Sequence, residues 1–171
     1  MRMLLELDEN NYSDTTKTHE RFAVRGVICR DGKYAMQQAR DGFYKILGGG
    51  IDKGETHEDA VVREVQEESG LIVIRDSIKP VGEVLEVRRD IYEPDIKYIC
   101  HTYVYTCDVS DEMSHTSMTE SEIRDGYHLE WAGADEILEQ NSKCQDKKWI
   151  ARDTKIIEML QNSRQIWYDV V

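Results

Sequence analysis

Residues 48–50 are all glycine, and they stand directly before a segment that carries the marks of both ends of an α-helix. Thr56 can cap the N-terminus, Asp59 follows three positions later in the manner of a capping box, and Gly70 supplies a C-terminal stop. This pattern predicts a helix over residues 56–69. Glycine has no side chain and tolerates left-handed backbone, so residues 48–50, the glycine strap, can bring their backbone close to a neighbouring group.

Three carboxylates lie on one face of this predicted helix, and we call them the acidic face. At about 100° per residue, Glu67 lies about 60° to one side of Glu64 and Glu68 lies about 40° to the other. Like charges at this spacing destabilise a helix, whereas hard divalent cations such as Mg²⁺ prefer carboxylate oxygens. A solvated acidic surface is the alternative, but the glycines and the spacing favour a metal site.

The rest of the chain alternates strand-like and helical segments. Residues 21–40 predict a hairpin with its turn at Asp31-Gly32, and residues 43–47 form a short segment that leads into the glycine strap. We predict further strands over residues 71–76, 80–89 and 96–107. A polar loop over 108–125, a short helix from Asp135 and an amphipathic helix over 148–161 complete the prediction. Mixed strands with interspersed helices indicate an α/β (α+β) sandwich.

Composition limits the classes of partner. The 171 residues suit a single domain over 1–171, with the N-terminal segment 1–20 and the C-terminal helix and tail 148–171 as parts of it. The formal net charge of −12 opposes binding to nucleic acid. Apolar runs such as that at 71–74 are far too short to span a bilayer, and the N-terminus lacks the long apolar core of a signal peptide. We therefore expect a cytoplasmic protein that binds neither nucleic acid nor membrane.

The sequence around the helix resembles the Nudix box of the MutT-like Nudix hydrolases. Gly49, Glu55 and the run REVQEESGL at 63–71 agree with the fixed and the apolar positions of that motif. The order of the surrounding strands and of the late helix is similar to the Nudix fold. The resemblance implies a Nudix-type mixed β-sheet sandwiched between α-helices.

The resemblance also implies a metal site. Glu64, Glu67 and Glu68 match the metal-binding glutamates of the family, and Gly48 matches the position whose backbone carbonyl often joins them. Glu67 or Glu68 would also act as the general base toward water. The implied cofactor is Mg²⁺, with Mn²⁺ as a substitute.

Other positions match supporting roles in the family. Arg63 matches the arginine that orients the acidic cluster, and Glu55 matches a glutamate that supports the loop and the helix. In many relatives a further acidic residue on a later loop joins the site. Here Glu120 and Glu122 are the candidates, and Glu122 is slightly favoured.

The implied reaction is hydrolysis of the diphosphate linkage in a nucleoside diphosphate joined to another group, X. No marker names the substrate, so a nucleoside triphosphate is the default. Arg88 and Arg89, beside Tyr92, could bind its phosphate or base, although a solvated loop is the alternative. A Nudix module that senses a nucleotide without turnover and an acidic domain that binds calcium are the competing functions. The family and the apolar residues 166–171 make a homodimer plausible.

Overall fold

The computed structural model describes residues 1–144 and 146–162 as a set of short strands and four α-helices. The strands are β1 (Met3–Asp8), β2 (Lys17–Val27), β3 (Cys29–Arg30), β4 (Lys33–Gln38), β5 (Tyr44–Ile46), β6 (Leu71–Val73), β7 (Lys79–Arg89), β8 (Ile96–Thr106), β9 (Val109–Met113) and β10 (His128–Gly133). The helices are α1 (His57–Ser69), α2 (Glu120–Asp125), α3 (Ala134–Asn141) and α4 (Lys148–Asn162).

Most of the strands form two sheets. The first has the order β1-β7-β8-β2, in which β7 and β8 are antiparallel and each edge strand runs parallel to its neighbour. The second has the order β10-β4-β3, with β5 also pairing with β4, and its pairs are all antiparallel. Strands β6 and β9 form a separate antiparallel pair.

The predicted hairpin links the two sheets. Its turn lies at Asp31 and Gly32, both with positive φ, as a tight two-residue turn requires. The strand before the turn is divided, however. Residues 17–27 form β2, which pairs with β8 in the first sheet, whereas Cys29 and Arg30 pair with β4 in the second sheet. The strand divides because its longer part finds parallel partners along the whole of β8.

Alternating strand residues separate the core into two clusters. In β4, Ala35 belongs to the cluster around α1, whereas its neighbours Tyr34 and Met36 belong to the cluster that includes α3 and α4. Because successive side chains of a strand point to opposite faces, these helices cover opposite faces of the sheet. This arrangement confirms the predicted α/β sandwich. The helix residues in these two clusters are Ala60, Val61 and Val65 of α1, Ile137 of α3, and Ile156, Ile157 and Leu160 of α4.

Parts of the secondary-structure prediction were wrong. The stretch predicted as a polar loop, 108–125, contains β9 and α2. The strand predicted over 71–76 ends at Val73 and gives way to a 3₁₀ turn over Arg75–Ser77. Strand β1 was not predicted, because its partner is the distant β7.

Two sequence-based expectations concern the ends of the chain and the membrane. The apolar residues 166–171, considered as a dimer contact, lie outside the described residues, as does the tail from 163 onward. Of the described helices, none combines the length and the apolar character needed to cross a membrane.

Candidate active site

Helix α1 has the ends that the sequence predicts. The Thr56 hydroxyl accepts a hydrogen bond from the Asp59 backbone N–H at 3.1 Å, and Gly70 closes the helix with φ of 74°. The reciprocal bond of a capping box is absent from this described helix, and the Thr56 hydroxyl donates to the Asp59 carboxylate at 2.6 Å. Val61 and Val65 are fully buried on the sheet side, so the acidic face turns toward a cleft.

The cleft has a volume of about 660 Å³, which is the size of a small-molecule site. Two chemically different sets of side chains line it. The acidic side chains include Glu64, Glu67 and Glu68 of α1, Glu122 and Asp125 of α2, and Glu86 and Asp90. The basic side chains include Arg21 and Arg25 of β2, Lys45 of β5, Arg63 of α1, Arg88 of β7 and Arg152 of α4.

The glycine strap lies against the acidic face, and two of its glycines, Gly48 and Gly49, make close approaches to neighbouring groups. A Cβ on Gly49 would stand 2.4 Å from Oε2 of Glu64. A Cβ on Gly48, whose φ is 136°, would stand 2.3 Å from the carbonyl oxygen of Val24. The Gly48 N–H donates to Oε2 of Glu68 at 2.7 Å.

Arg63 connects the strap, the loop and the helix. Its Nε and Nη2 donate to the two carboxylate oxygens of Glu55, both at 2.8 Å, and Nη2 also donates to the Gly50 carbonyl at 2.9 Å. Its Nη1 lies 2.7 Å from Oε1 of Glu64 and 3.3 Å from Oε2 of Glu67. The Arg63 guanidinium lowers the pKa of Glu55, and hydrogen bonding to Glu55 raises the pKa of Arg63.

Lys45 joins the acidic face to α2. Its ammonium lies 2.8 Å from Oε1 of Glu68 and 3.3 Å from Oε1 of Glu122. Burial raises the pKa of Glu68 to about 7, against the attraction of Lys45 and the Gly48 N–H. Burial acts in the same direction on Glu122, but hydrogen bonds from Thr119 and the charge of Lys45 hold its pKa below the usual value.

The acidic face suits a divalent cation in composition and placement. Within the described residues, no three His, Cys, Asp or Glu side chains already converge as a metal cluster. Cationic side chains of the protein hold the carboxylates instead, and Nη1 of Arg63 bridges Glu64 and Glu67. These two carboxylates therefore reach a common cation. The Glu67 side chain is the most open of the three, at 39% exposed, against 13% for Glu64 and 4% for Glu68.

Comparison with known proteins identifies the family. A model of the NUDIX domain matches residues 19–153. This chain belongs to the Nudix family. Among solved structures, the Nudix chain is similar to the Escherichia coli ORF135 protein, with a TM-score of 0.57 and 19% identity over 86% of this chain and 93% of that one. It is also similar to a NUDIX hydrolase from Nitrosomonas europaea, with a TM-score of 0.56 and 18% identity over 72% and 79%. These likenesses show the fold.

Curated relatives carry several names. The Nudix chain is 41% identical over 58 residues to an ADP-ribose pyrophosphatase of Methanocaldococcus jannaschii, covering 32% of this chain and 34% of that enzyme. It is 33% identical over 84 residues to the nucleoside triphosphatase NudI of Escherichia fergusonii, covering 46% and 60%. A MutT-like protein of Streptomyces ambofaciens is 28% identical over 140 residues, covering 81% and 79%. The first two matches thus span less than two thirds of the relatives' own length.

The structure separates the two arginines that the sequence pairs as substrate contacts of this Nudix protein. Arg88 lines the cleft, with its guanidinium 4.3 Å from the centre of the Tyr98 ring. Arg89 is not among the residues that line the cleft. It pairs with Asp14 and donates from Nε to the Asn11 carbonyl at 3.0 Å. Adjacent strand residues point to opposite faces, so only Arg88 faces the cleft.

The structure also separates the two acidic candidates from the later loop. Glu122 lines the cleft and contacts Lys45, while its other oxygen accepts from the Thr119 N–H at 2.9 Å. Glu120 is exposed and is not among the residues that line the cleft. The sequence signal for this placement is a capping box, in which Glu122 stands three positions after Thr119.

Sequence reasoning missed a buried charge cluster in the same cleft. Arg25, Glu86, Arg152 and Asp153 are each at most 6% exposed. A signal was available in α4, because Asp153 lies one helical turn before the apolar Ile157. A charged residue inside an apolar stripe must be buried with a partner, and here the partner is Arg152, which lines the cleft.

Proposed function

We propose that this protein hydrolyses the diphosphate linkage of a nucleoside triphosphate or of another nucleoside diphosphate derivative, in a reaction that depends on Mg²⁺. The observation that carries the proposal is the placement of the acidic face along a cleft, with Glu64 and Glu67 held on Arg63. Membership of the Nudix family, whose enzymes generally use divalent metal ions, supports it. Relatives named ADP-ribose pyrophosphatase and nucleoside triphosphatase support the class of substrate.

Four groups of the chain would hold the metal. They are the carboxylates of Glu64, Glu67 and Glu68 and the backbone carbonyl of Gly48. When bound, the metal would neutralise phosphate charge and lower the pKa of an attacking water. Arg63 would fix the positions of the Glu64 and Glu67 carboxylates relative to the glycine strap, because the same guanidinium also bonds to the Gly50 carbonyl.

Glu67 is the proposed general base. Its carboxylate is the most exposed of the acidic face, whereas Glu68 is buried and bonded to Lys45 and Gly48. The oxygen of a water would form a bond to phosphorus while its proton passes to Glu67. The bridging P–O bond breaks, and its electron pair leaves with the departing phosphate group. Glu122 would assist by holding Lys45 against Glu68.

The net charge of the protein limits the type of substrate and the way in which it is bound. The substrate would be a small nucleotide of the cytoplasm, and a net charge of −12 opposes binding of nucleic acid. An anionic substrate must then be attracted locally, either by the metal or by the arginines of the cleft.

The first test is an incubation with Mg²⁺ and separate pools of nucleoside triphosphates, ADP-ribose, sugar nucleotides and dinucleoside polyphosphates, with products followed by chromatography. We expect two phosphate-terminated products from at least one pool, and no products in excess chelator or with Glu67→Gln. Cleavage that persists in both controls would contradict the proposal. Nucleotide binding without cleavage in any pool would favour a sensing module instead.

A further inference from the structure

Three guanidinium groups are enclosed within the cleft, and together with two carboxylates they form what we call the basic pocket. Arg25, Arg88 and Arg152 are each at most 6% exposed, as are Glu86 and Asp153. Glu68, 4% exposed, also attracts Arg25, but its own oxygens are bonded to Lys45 and to the Gly48 N–H. Buried guanidinium donors without acceptors are unfavourable, and an anion would supply the missing acceptors.

The carboxylates of the pocket are already engaged. Oδ1 of Asp153 accepts from Nε of Arg152 at 2.9 Å, and Oδ2 accepts from the Ile46 backbone N–H at 3.0 Å. Oε1 of Glu86 accepts from Nε of Arg88 at 2.6 Å. Most of the acceptor capacity near the arginines is therefore used within the protein.

Some of the guanidinium donors remain unused. Nε of Arg25 lies 3.6 Å from Asp153, which is too far for a hydrogen bond. Nη2 of Arg152 lies 2.8 Å from Asp153, but the alignment does not make a hydrogen bond. Across the described part of the chain neither nitrogen has a hydrogen-bond partner. Burial lowers the pKa of Arg25, and so does the charge of Arg152, which shows that the two cations repel each other.

The basic pocket adjoins the glycine strap. A Cβ on Gly48 would stand 3.0 Å from Cα of Arg25, and the Arg25 charge acts on Glu68. An anion in the pocket would thus be next to a diphosphate held at the acidic face. The planar guanidinium of arginine matches phosphate oxygens. Arg88 lines the cleft with its guanidinium over the Tyr98 ring, while its Nε bonds to Glu86 and its Nη1 to the Arg89 carbonyl.

We propose that the basic pocket binds a phosphate group of the ligand beyond the diphosphate at the acidic face. The ligand class is a nucleoside triphosphate, or a nucleoside diphosphate whose X carries a phosphate. The identity of the ligand rests on the proposed function, but the binding of phosphate by the pocket does not.

The direct test measures binding of inorganic phosphate to the metal-free protein in chelator, by calorimetry at constant ionic strength with chloride as the reference anion. We expect saturable binding of phosphate to the wild type at the basic pocket. The acidic face repels anions when no metal is present, so it offers no competing site. Arg88→Gln should weaken this binding at least tenfold. Arg89→Gln, a matched change whose side chain lies outside the cleft, should leave it within twofold.

A second variant keeps the test decisive if Arg88→Gln does not fold. Arg88→Lys retains the charge beside Glu86 but removes the planar fork, so phosphate affinity should fall at least threefold. Absence of saturable phosphate binding to the wild type, or equal effects of the Arg88 and Arg89 variants, would overturn the proposal.

A third measurement distinguishes the role of the basic pocket in binding a phosphate from the hydrolytic activity itself. ADP-ribose has no phosphate beyond its diphosphate, so Arg88→Gln should reduce kcat/KM for a nucleoside triphosphate at least tenfold more than for ADP-ribose. Equal losses would overturn the proposal even with hydrolysis intact. Phosphate binding without hydrolysis of any nucleotide would instead keep the pocket and reject the proposed function.

Discussion

Arg63 and Glu55 are joined by two hydrogen bonds of 2.8 Å each, which tie the loop after the glycine strap to the middle of α1. The same guanidinium contacts the carboxylates of Glu64 and Glu67. One side chain therefore sets both the entry of the helix and the spacing of its acidic face. Charge-assisted, bidentate bonds of this type are stronger than neutral ones.

Removing the Glu55 carboxylate should destabilise the fold. Glu55→Ala leaves two donors of a partly buried guanidinium without acceptors, and we expect a loss of about 1–3 kcal/mol in the free energy of unfolding. Asp52→Ala is the matched control, because Asp52 lies 4.0 Å from Arg63 and its side chain is 81% exposed. Urea denaturation of both variants measures the change in the free energy of unfolding. A control that loses as much as Glu55→Ala would contradict the role of the paired bonds.

Glu67→Gln should remove hydrolysis and leave the fold intact. The amide cannot accept a proton from water, so we expect kcat to fall at least about 100-fold. Glu58→Gln removes an exposed carboxylate from the first turn of the same helix and should keep wild-type kcat. Steady-state kinetics and thermal melts of both variants provide the comparison. Activity near the wild type in Glu67→Gln would reject Glu67 as the base.

A methyl group at Gly49 should disturb the acidic face, whereas one at Gly50 should not. The added Cβ at Gly49 would stand 2.4 Å from the Glu64 carboxylate, but at Gly50 it would only reach ordinary contact with Arg21 at 3.7 Å. We expect Gly49→Ala to cost about 1–3 kcal/mol of stability and to weaken Mg²⁺ binding, with Gly50→Ala within about 0.5 kcal/mol of the wild type. Melting curves with and without Mg²⁺ measure both effects. Equal behaviour of the two variants would refute this account of the strap.

The metal-free protein should lose stability as the pH rises toward neutrality. Burial raises the pKa of Glu68 from 4.5 to about 7, so the folded state binds this proton more tightly than the unfolded state. The contribution is complete below about pH 4.5 and is lost as the pH rises through about 7. In chelator, the wild type should lose stability relative to Glu68→Gln between pH 5 and pH 8, because the glutamine does not titrate. A constant difference would exclude a raised Glu68 pKa.

The position of the acidic face could be predicted from short-range sequence patterns. The Thr56 cap, the Gly70 stop and the spacing of three glutamates are all encoded within one short stretch, and α1 forms as they indicate. The bonds from Arg63 to Glu55 join residues of this same stretch. Capping and helical periodicity need no knowledge of the rest of the fold.

Of the basic pocket, only Arg88 was proposed from the sequence, and the pocket itself could not be predicted because its members meet only through the tertiary fold. Arg25 lies on β2, Arg88 on β7 and Arg152 on α4, and no sequence spacing relates them. Strand β1 was missed for the same reason, since it pairs with the distant β7. Helix α2 was missed although its capping box is local, because six residues are too few for a periodic pattern.

The two sides of the cleft should form at different stages of folding, because the acidic face comes from one stretch of the chain and the basic pocket from three distant elements. The glycine strap and α1 are consecutive in the chain, so their contacts form at little cost in loop entropy. The parallel pairing of β2 with β8 has to close a long loop, and such contacts form slowly. A transient detachment of α4 would remove Arg152 from the cleft and leave α1 in place, and amide hydrogen exchange would detect it. The basic pocket is thus expected to be completed later in folding than the acidic face.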